Sequence, residues 1–204
     1  MTLNLNHEFK KNLYFKYAII VFVFLILFLP LKSFSSPVSK YAPFVISGIY
    51  LTDQEYFSLP DFLQVKVRYH IGGSPEHSMF EKKIGPDFQH YHHWAAALVK
   101  FKRAMNSTSE IFRSDLLKQA LGEYSYLLRN CSLNNPFRYA FHLSRGEIYY
   151  ILGEYSDAAK ELQMSLMYND KHMQTYIVLL NAYERLKMKE QAVELESKIK
   201  NLKN

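Results

Sequence analysis

The sequence predicts an all-α chain, with helical hairpins stacked as a repeat behind one N-terminal membrane-spanning helix. Three observations carry this. The C-terminal half matches itself at a spacing of 34: Leu128 falls over Leu162, Cys131 over Ser165, Pro136 over Asp170, Tyr149 over Tyr183, Leu152 over Leu186 and Ala158 over Ala192. Tyr91, Trp94, Leu98, Phe101 and Met105 recur at spacings of three and four, the period of a half-buried helix. Residues 17–29 carry no charge and follow Lys10, Lys11 and Lys16.

Composition supports a folded chain. Of 204 residues, 49% are hydrophobic and 22% charged, so this is not a disordered polymer. Only 7 Gly and 7 Pro argue against a loop-rich β-sandwich. The single Cys excludes an internal disulfide, a thiolate zinc site and an iron–sulfur cluster.

Residues 1–12 read as a cytoplasmic tail and 13–31 as a transmembrane signal anchor. The latter is 19 residues with one lysine near its end, where the stem can snorkel, against the roughly 20 needed to cross a bilayer. Lysines ahead of the core hold the N-terminus in the cytoplasm. The expected placement is therefore single-pass in the cell membrane, with the bilayer as one partner and the C-terminal domain extracytoplasmic. Two other readings compete: a signal peptide cleaved near Ser35, which leaves a secreted or periplasmic domain, and a buried helix. Ser33 and Ser35 have the small side chains of a cleavage site; Lys32 and Phe34 argue against it. The net charge of +6 belongs largely to this end. Removing residues 1–35 takes away four lysines and one glutamate and leaves +3. With no Lys/Arg cluster longer than two residues in the body, no nucleic-acid partner is expected.

Residues 32–47, with Pro37 and Pro43, read as a linker. Residues 48–85 read as irregular or short-helical. Thr52 and Glu55 form a capping-box pair. Residues 63–71 alternate as a strand would, yet Ser58, Pro60 and Asp61 resemble a helix start; a strand has no evident partner here, which favours helix with Phe62, Val65 and Tyr69 on one face. Gly72 and Gly73 end this element, and Gly85-Pro86 breaks the chain again. A helical domain is expected over 86–204, with Ala95, Ala96 and Ala97 favouring close helix packing in its first helix.

The segment from Gly146 to Ala158 resembles the tetratricopeptide repeat. The glycine, tyrosine, glycine, tyrosine and alanine that this family carries at fixed places stand here as Gly146, Tyr149, Gly153, Tyr155 and Ala158. The implied register gives repeats near 105–138, 139–172 and 173–204. The third keeps Leu179, Tyr183 and Ala192 but has Leu180 and Lys187 in the glycine places. In the first, Leu128, Cys131 and Pro136 fit the second helix, whereas Phe112, Asp115 and Gln119 do not fit the first. The central repeat departs at His142 and Arg145, where bulky apolar residues are usual. The resemblance implies a right-handed α-solenoid, and helical hairpins of this kind must stack to bury both faces.

A few residues are candidates for chemistry. His90 and His93 are three apart on a helix, with Asp87 three residues earlier, and are weak candidates for a metal pair; the structural reading of surface or interface histidines outweighs it. Neither a G-x-S-x-G elbow nor a phosphate loop is present. Cys131 reads as packed. No catalytic residue and no cofactor are expected, and the chain reads as a non-enzyme.

The repeat family presents an inner face to a peptide or partner helix. By that resemblance the partner-binding residues are Leu143, Glu147, Tyr150 and Ile151 from the central repeat and Ile177, Asn181, Glu184 and Arg185 from the last, with Arg113, Leu116 and Leu117 added by the first. The function expected is a membrane-anchored protein–protein interaction module or scaffold on the extracytoplasmic side, acting within a membrane complex. The alternative is an accessory structural or metal-binding subunit of a larger membrane enzyme complex.

Overall fold

A computed structural model describes residues 44–69 and 73–202. The chain begins there with a small antiparallel hairpin, β1 (Phe44–Ile46) and β2 (Ile49–Leu51), with Phe44 opposite Leu51 and Ile46 opposite Ile49. Ser47 and Gly48 form its two-residue turn, both at positive φ (46° and 77°), which matches the twist of paired strands. These strands fall where a linker and irregular segment were expected, and three residues per strand leave no periodicity to read. Helix α1 (Asp53–Phe57) starts on the expected capping box: Glu55 N–H donates to Thr52 Oγ1 at 3.2 Å, and Thr52 N–H donates to Glu55 Oε2 at 2.9 Å.

Helix α2 (Asp61–Arg68) settles the ambiguous stretch. Pro60 fixes φ at −54°, and its carbonyl accepts from Leu63 and Gln64, opening a helix. The buried face is Leu63, Lys66 and Val67, one residue round from the face expected. Phe62, half-buried, instead leads an aromatic layer against Phe80, Tyr91, Trp94 and Phe137. Helix α3 (Pro75–Ile84) is capped by Ser74, and a 3₁₀ turn over Pro86–His90 leads into α4 (Tyr91–Asn106). Helix α1 is tied to α4 by Arg103, which donates to both Glu55 carboxylate oxygens at 2.7 and 2.9 Å and to the Tyr50 carbonyl at 2.6 Å. That guanidinium holds the Glu55 carboxyl well below the usual range, at about 2.

Three hairpins follow. Helix α4 pairs with α5 (Glu110–Asn130), α6 (Arg138–Ile151) with α7 (Tyr155–Tyr168), and α8 (Met173–Arg185) with α9 (Lys189–Leu202). Each hairpin packs on the next through α5 with α6 and α7 with α8, while α6 also meets α8. Helix α5 runs unbroken from Glu110 through Gln119, so the helix before it is α4, not a helix starting near 105. Two core clusters meet across α6, whose Phe141 and Ile148 join the first and Leu143 the second.

The repeat shows most clearly in the turns. Gly153 has φ 81°, donates to the Tyr150 carbonyl at 3.1 Å and is followed by Glu154 donating to Tyr149 at 2.9 Å. Lys187, 34 residues on, has φ 60°, donates to Glu184 at 3.1 Å and is followed by Met188 donating to Tyr183 at 2.9 Å. The same helix-ending turn is thus made by glycine once and by lysine once. A left-handed lysine costs about 1 kcal/mol relative to glycine. Lys187→Gly is therefore expected to raise stability by about 1 kcal/mol and Gly153→Ala to lower it by a similar amount. Urea melts of the two variants check this; equal effects of one sign would break the equivalence.

The membrane reading is corrected. Among the described residues no helix is long and apolar enough to cross a membrane. The longest, α5, carries Glu110, Arg113, Asp115, Lys118, Glu123 and Arg129, and such charges are costly in lipid. The anchor expected over 13–31 and the cleavage site near Ser35 lie outside the described residues. Since no described helix can span a membrane, the transmembrane helix, the single-pass placement, the extracytoplasmic or periplasmic side and the bilayer as partner are withdrawn.

Candidate functional site

The inner-face residues are carried by α6 and α8, side by side. Along α6, Leu143 is buried in the second core cluster, at 9% exposure, and offers no surface to a partner. One turn on, Glu147 is half-buried, and burial pushes its carboxyl up to about 7 against the pull of a hydrogen bond from Gln174 of α8. Tyr124 of α5 faces it; that hydroxyl is itself pushed up, mainly by burial, with the Glu147 charge acting in the same direction. Tyr150 is half-buried, and Ile151 is 41% exposed.

On α8, Ile177 and Asn181 are half-buried and Glu184 and Arg185 exposed. The Arg185 guanidinium sits over the Tyr155 ring at 4.9 Å and donates to its hydroxyl at 2.6 Å. Tyr155 in turn meets Tyr150 edge-on at 5.3 Å. A rail of Tyr150, Tyr155 and Arg185 therefore joins the turn of one hairpin to the first helix of the next. Tyr155 was not among the expected binding residues, because the resemblance to the repeat assigns it to packing. Of the three residues expected from the first hairpin, Leu116 and Leu117 are buried in the first core, and half-buried Arg113 donates to Glu110 and to the Ser107 carbonyl.

The histidine-bearing helix is corrected as a metal site. His90 Nδ1 lies 3.2 Å from the Tyr126 hydroxyl. His93 stacks on the Tyr126 ring at 3.6 Å and meets Glu123 at 2.5 Å, while Lys100 holds the other Glu123 oxygen at 2.6 Å. Asp87 turns to the α5–α6 loop, where it accepts from Ser132 N–H at 3.0 Å and from the Asn135 amide at 2.7 Å. The two histidines thus share Tyr126, while Asp87 is engaged by a different segment. Among the described residues no group of three His, Cys, Asp or Glu side chains is placed to hold a metal ion. The metal-binding part of the alternative therefore has no support among the described residues, and its accessory structural-subunit part is untouched by this.

The departures at His142 and Arg145 have a common cause in α7. Glu161 meets His142 Nδ1 at 2.7 Å and Arg145 Nη2 at 3.0 Å, and all three side chains are largely enclosed. His142 stacks on Tyr168, and the Arg145 guanidinium lies over Tyr149. A polar triad thus replaces the apolar contact usual in the repeat family. It parallels the first hairpin, where Glu123 of the second helix takes His93 and Lys100 of the first. Buried Arg138 closes the joint between hairpins by donating to the Leu128 and Cys131 carbonyls at the end of α5. Cys131 is buried there, and burial pushes its thiol up to about 12, away from the nucleophilic thiolate form.

No family model, no curated protein and no solved structure matches the chain.

Proposed function

We propose that the helical hairpins form a protein-interaction module that captures a peptide or helix of a partner against α6 and α8. The observation that carries this reading is the rail of Tyr150, Tyr155 and Arg185 beside exposed Ile151. Two aromatic rings and a guanidinium, held by each other and still partly open, are the residue types that dominate binding interfaces. Glu147, Ile177, Asn181 and Glu184 complete the surface, with apolar and polar positions interleaved along the two helices. Glu147 and Glu184 would repel phosphates, which sets nucleic acid aside. Enclosed charges elsewhere in the hairpins are taken up by internal pairs, Lys100 with Glu123 and Arg145 with Glu161, and we read the chain as a binding protein.

Tyr150→Ala and Arg185→Glu are each expected to weaken partner capture about tenfold or more while leaving the thermal melt unchanged. Site-specific photo-crosslinking from position 151 in the native lysate, compared across wild type and both variants, measures it. Crosslinks that persist in both variants at an unchanged melting temperature would move the working surface away from α6 and α8.

A further inference from the structure

Glu147 stands out among the inner-face residues. Its carboxyl lies between α6 and α8 and has a neutral partner, Gln174. The groups that face it from the packed elements are Tyr124 of α5 and Gln174 of α8; neither brings positive charge. Among the described residues no ion pair reaches it. Half-buried Asp87 also lacks a cation, but it accepts from the Ser132 N–H and the Asn135 amide, whereas Glu55 has Arg103, Glu123 has Lys100 and His93, and Glu161 has Arg145 and His142. Those last three are neutralised from within the chain. A carboxylate withdrawn from water without a cation is costly, and a fold that keeps one gains when a cation arrives.

The surroundings say which cation. Ile151 lies one turn further along α6 from Glu147, and Ile177 one turn along α8 from Gln174. Both keep accessible surface, so an alkyl stem bound on this face has apolar side chains to lie against within one helical turn of Glu147 and Gln174. A metal ion would need several oxygen or nitrogen ligands, and one carboxylate beside one amide does not supply them. Exposed Glu184 adds a second negative charge on the same face, and the Arg185 guanidinium is drawn onto Tyr155.

We infer that Glu147 is a recognition point for a lysine or arginine of the partner, so that the segment captured by α6 and α8 is a peptide carrying a basic residue between apolar ones. This rests on the interaction-module reading above. The basic side chain would lie along Ile151 and Ile177 and place its charge on Glu147. Because burial raises the free carboxyl to about 7, a cationic partner must bind the ionised form and expel a proton. Capture should therefore tighten as pH rises through neutrality. From the ionised fractions at a value near 7, the gain between about pH 5.5 and about pH 8 is at most about 30-fold.

The test is selection of a random-peptide phage library on the full-length chain, run in parallel on wild type, Glu147→Gln and Tyr150→Ala. The glutamine variant keeps the shape and is expected to fold, which a thermal melt checks. The expected result is that wild type enriches peptides with a lysine or arginine between apolar residues. Glu147→Gln should lose that basic preference, and the pH dependence of the selected peptides' affinity should flatten with it. Peptides selected by wild type without basic enrichment would overturn this inference while leaving the module reading intact, provided Tyr150→Ala weakens them. The same holds if Glu147→Gln retains the enrichment. If the selected peptides are indifferent to Tyr150→Ala, or none are selected, the module reading fails and the inference falls with it.

Discussion

Glu161→Ala should destabilise the domain by about 3 kcal/mol, because it leaves the enclosed Arg145 guanidinium without its carboxylate and the enclosed His142 ring without its hydrogen-bond partner. His142 and Arg145 are each less than a fifth exposed and reach across from α6 to the same α7 side chain. With Glu161 gone, Arg145 keeps its face on Tyr149 and a 3.4 Å contact with that hydroxyl, and His142 keeps its stack on Tyr168. None of these replaces a charge. In a domain of this size the loss amounts to a fall of roughly 6–12 °C in melting temperature. The cost comes from stranding the partners and not from the worth of the pair itself. The triple replacement H142L, R145M and E161L, which restores the apolar contact usual in the repeat family, should therefore recover most of the stability lost by Glu161→Ala. Calorimetry on the three proteins separates the cases. A wild-type melt from Glu161→Ala would mean that water already serves His142 and Arg145.

This triad also marks the limit of reading the fold from residues in order. His142 and Arg145 stand out as misfits in the repeat pattern, but Glu161 lies a helix away, and nothing local assigns it to them. The same holds for His90 and His93. Their shared helix side is plain from spacing, whereas Tyr126 and Glu123, which occupy them, arrive from α5. The hairpin of α6 and α7 was legible because Gly146, Gly153 and Ala158 are each demanded by one geometric event. The turn into α9 was half legible: Tyr183 and Ala192 hold the phase, but Lys187 takes a backbone conformation that its residue type argues against. The start of α5 was not legible at all. Ile111 and Phe112 are 86% and 53% exposed, so apolar character there does not signal a core. The face of α2 slipped by one residue because its aromatic Phe62 joins a layer made by α3, α4 and Phe137, which no pattern within α2 reveals.

The candidate site divides in the same way. The repeat phase places Glu147, Tyr150 and Ile151 of α6 beside Ile177, Asn181, Glu184 and Arg185 of α8. It does not say how deeply each is covered. Leu143 is taken into the core that α8 closes, and Tyr155, assigned to packing, becomes the seat of Arg185. The weight given to residues 13–31 shows a different limit. A long apolar run dominates any hydropathy reading, but it says nothing of the helices that follow, and those are amphipathic or charged throughout.

Gly146→Val should cost about 3 kcal/mol, the upper end of what overpacking costs. A methyl group built on Gly146 would lie 2.6 Å from Leu162 Cγ, 2.8 Å from its Cδ2 and 3.3 Å from the Ala158 carbonyl oxygen. The first two atoms belong to a side chain with no exposure at all, and the third to the backbone of α7, so neither can step aside freely. A second methyl and a β-branch leave still less room. The last hairpin shows what a larger residue requires: Leu180 stands 34 residues after Gly146, and the residue 34 after Leu162 is exposed Glu196, which leaves that space open. Gly122 of α5 supplies the internal control, since it is helical with nothing near the place of its missing methyl group. Gly122→Ala should gain up to about 1 kcal/mol through helix propensity alone, while Gly146→Ala, with the same propensity gain, should show a net loss. Combining Gly146→Ala with Leu162→Ala should cost less than the sum of the two, because the new methyl group fills part of the cavity left by the leucine. Urea denaturation of the single and double variants reads the coupling directly. Strict additivity would mean that α6 and α7 do not approach through this pair, and the spacing assigned to the central hairpin would have to be redrawn.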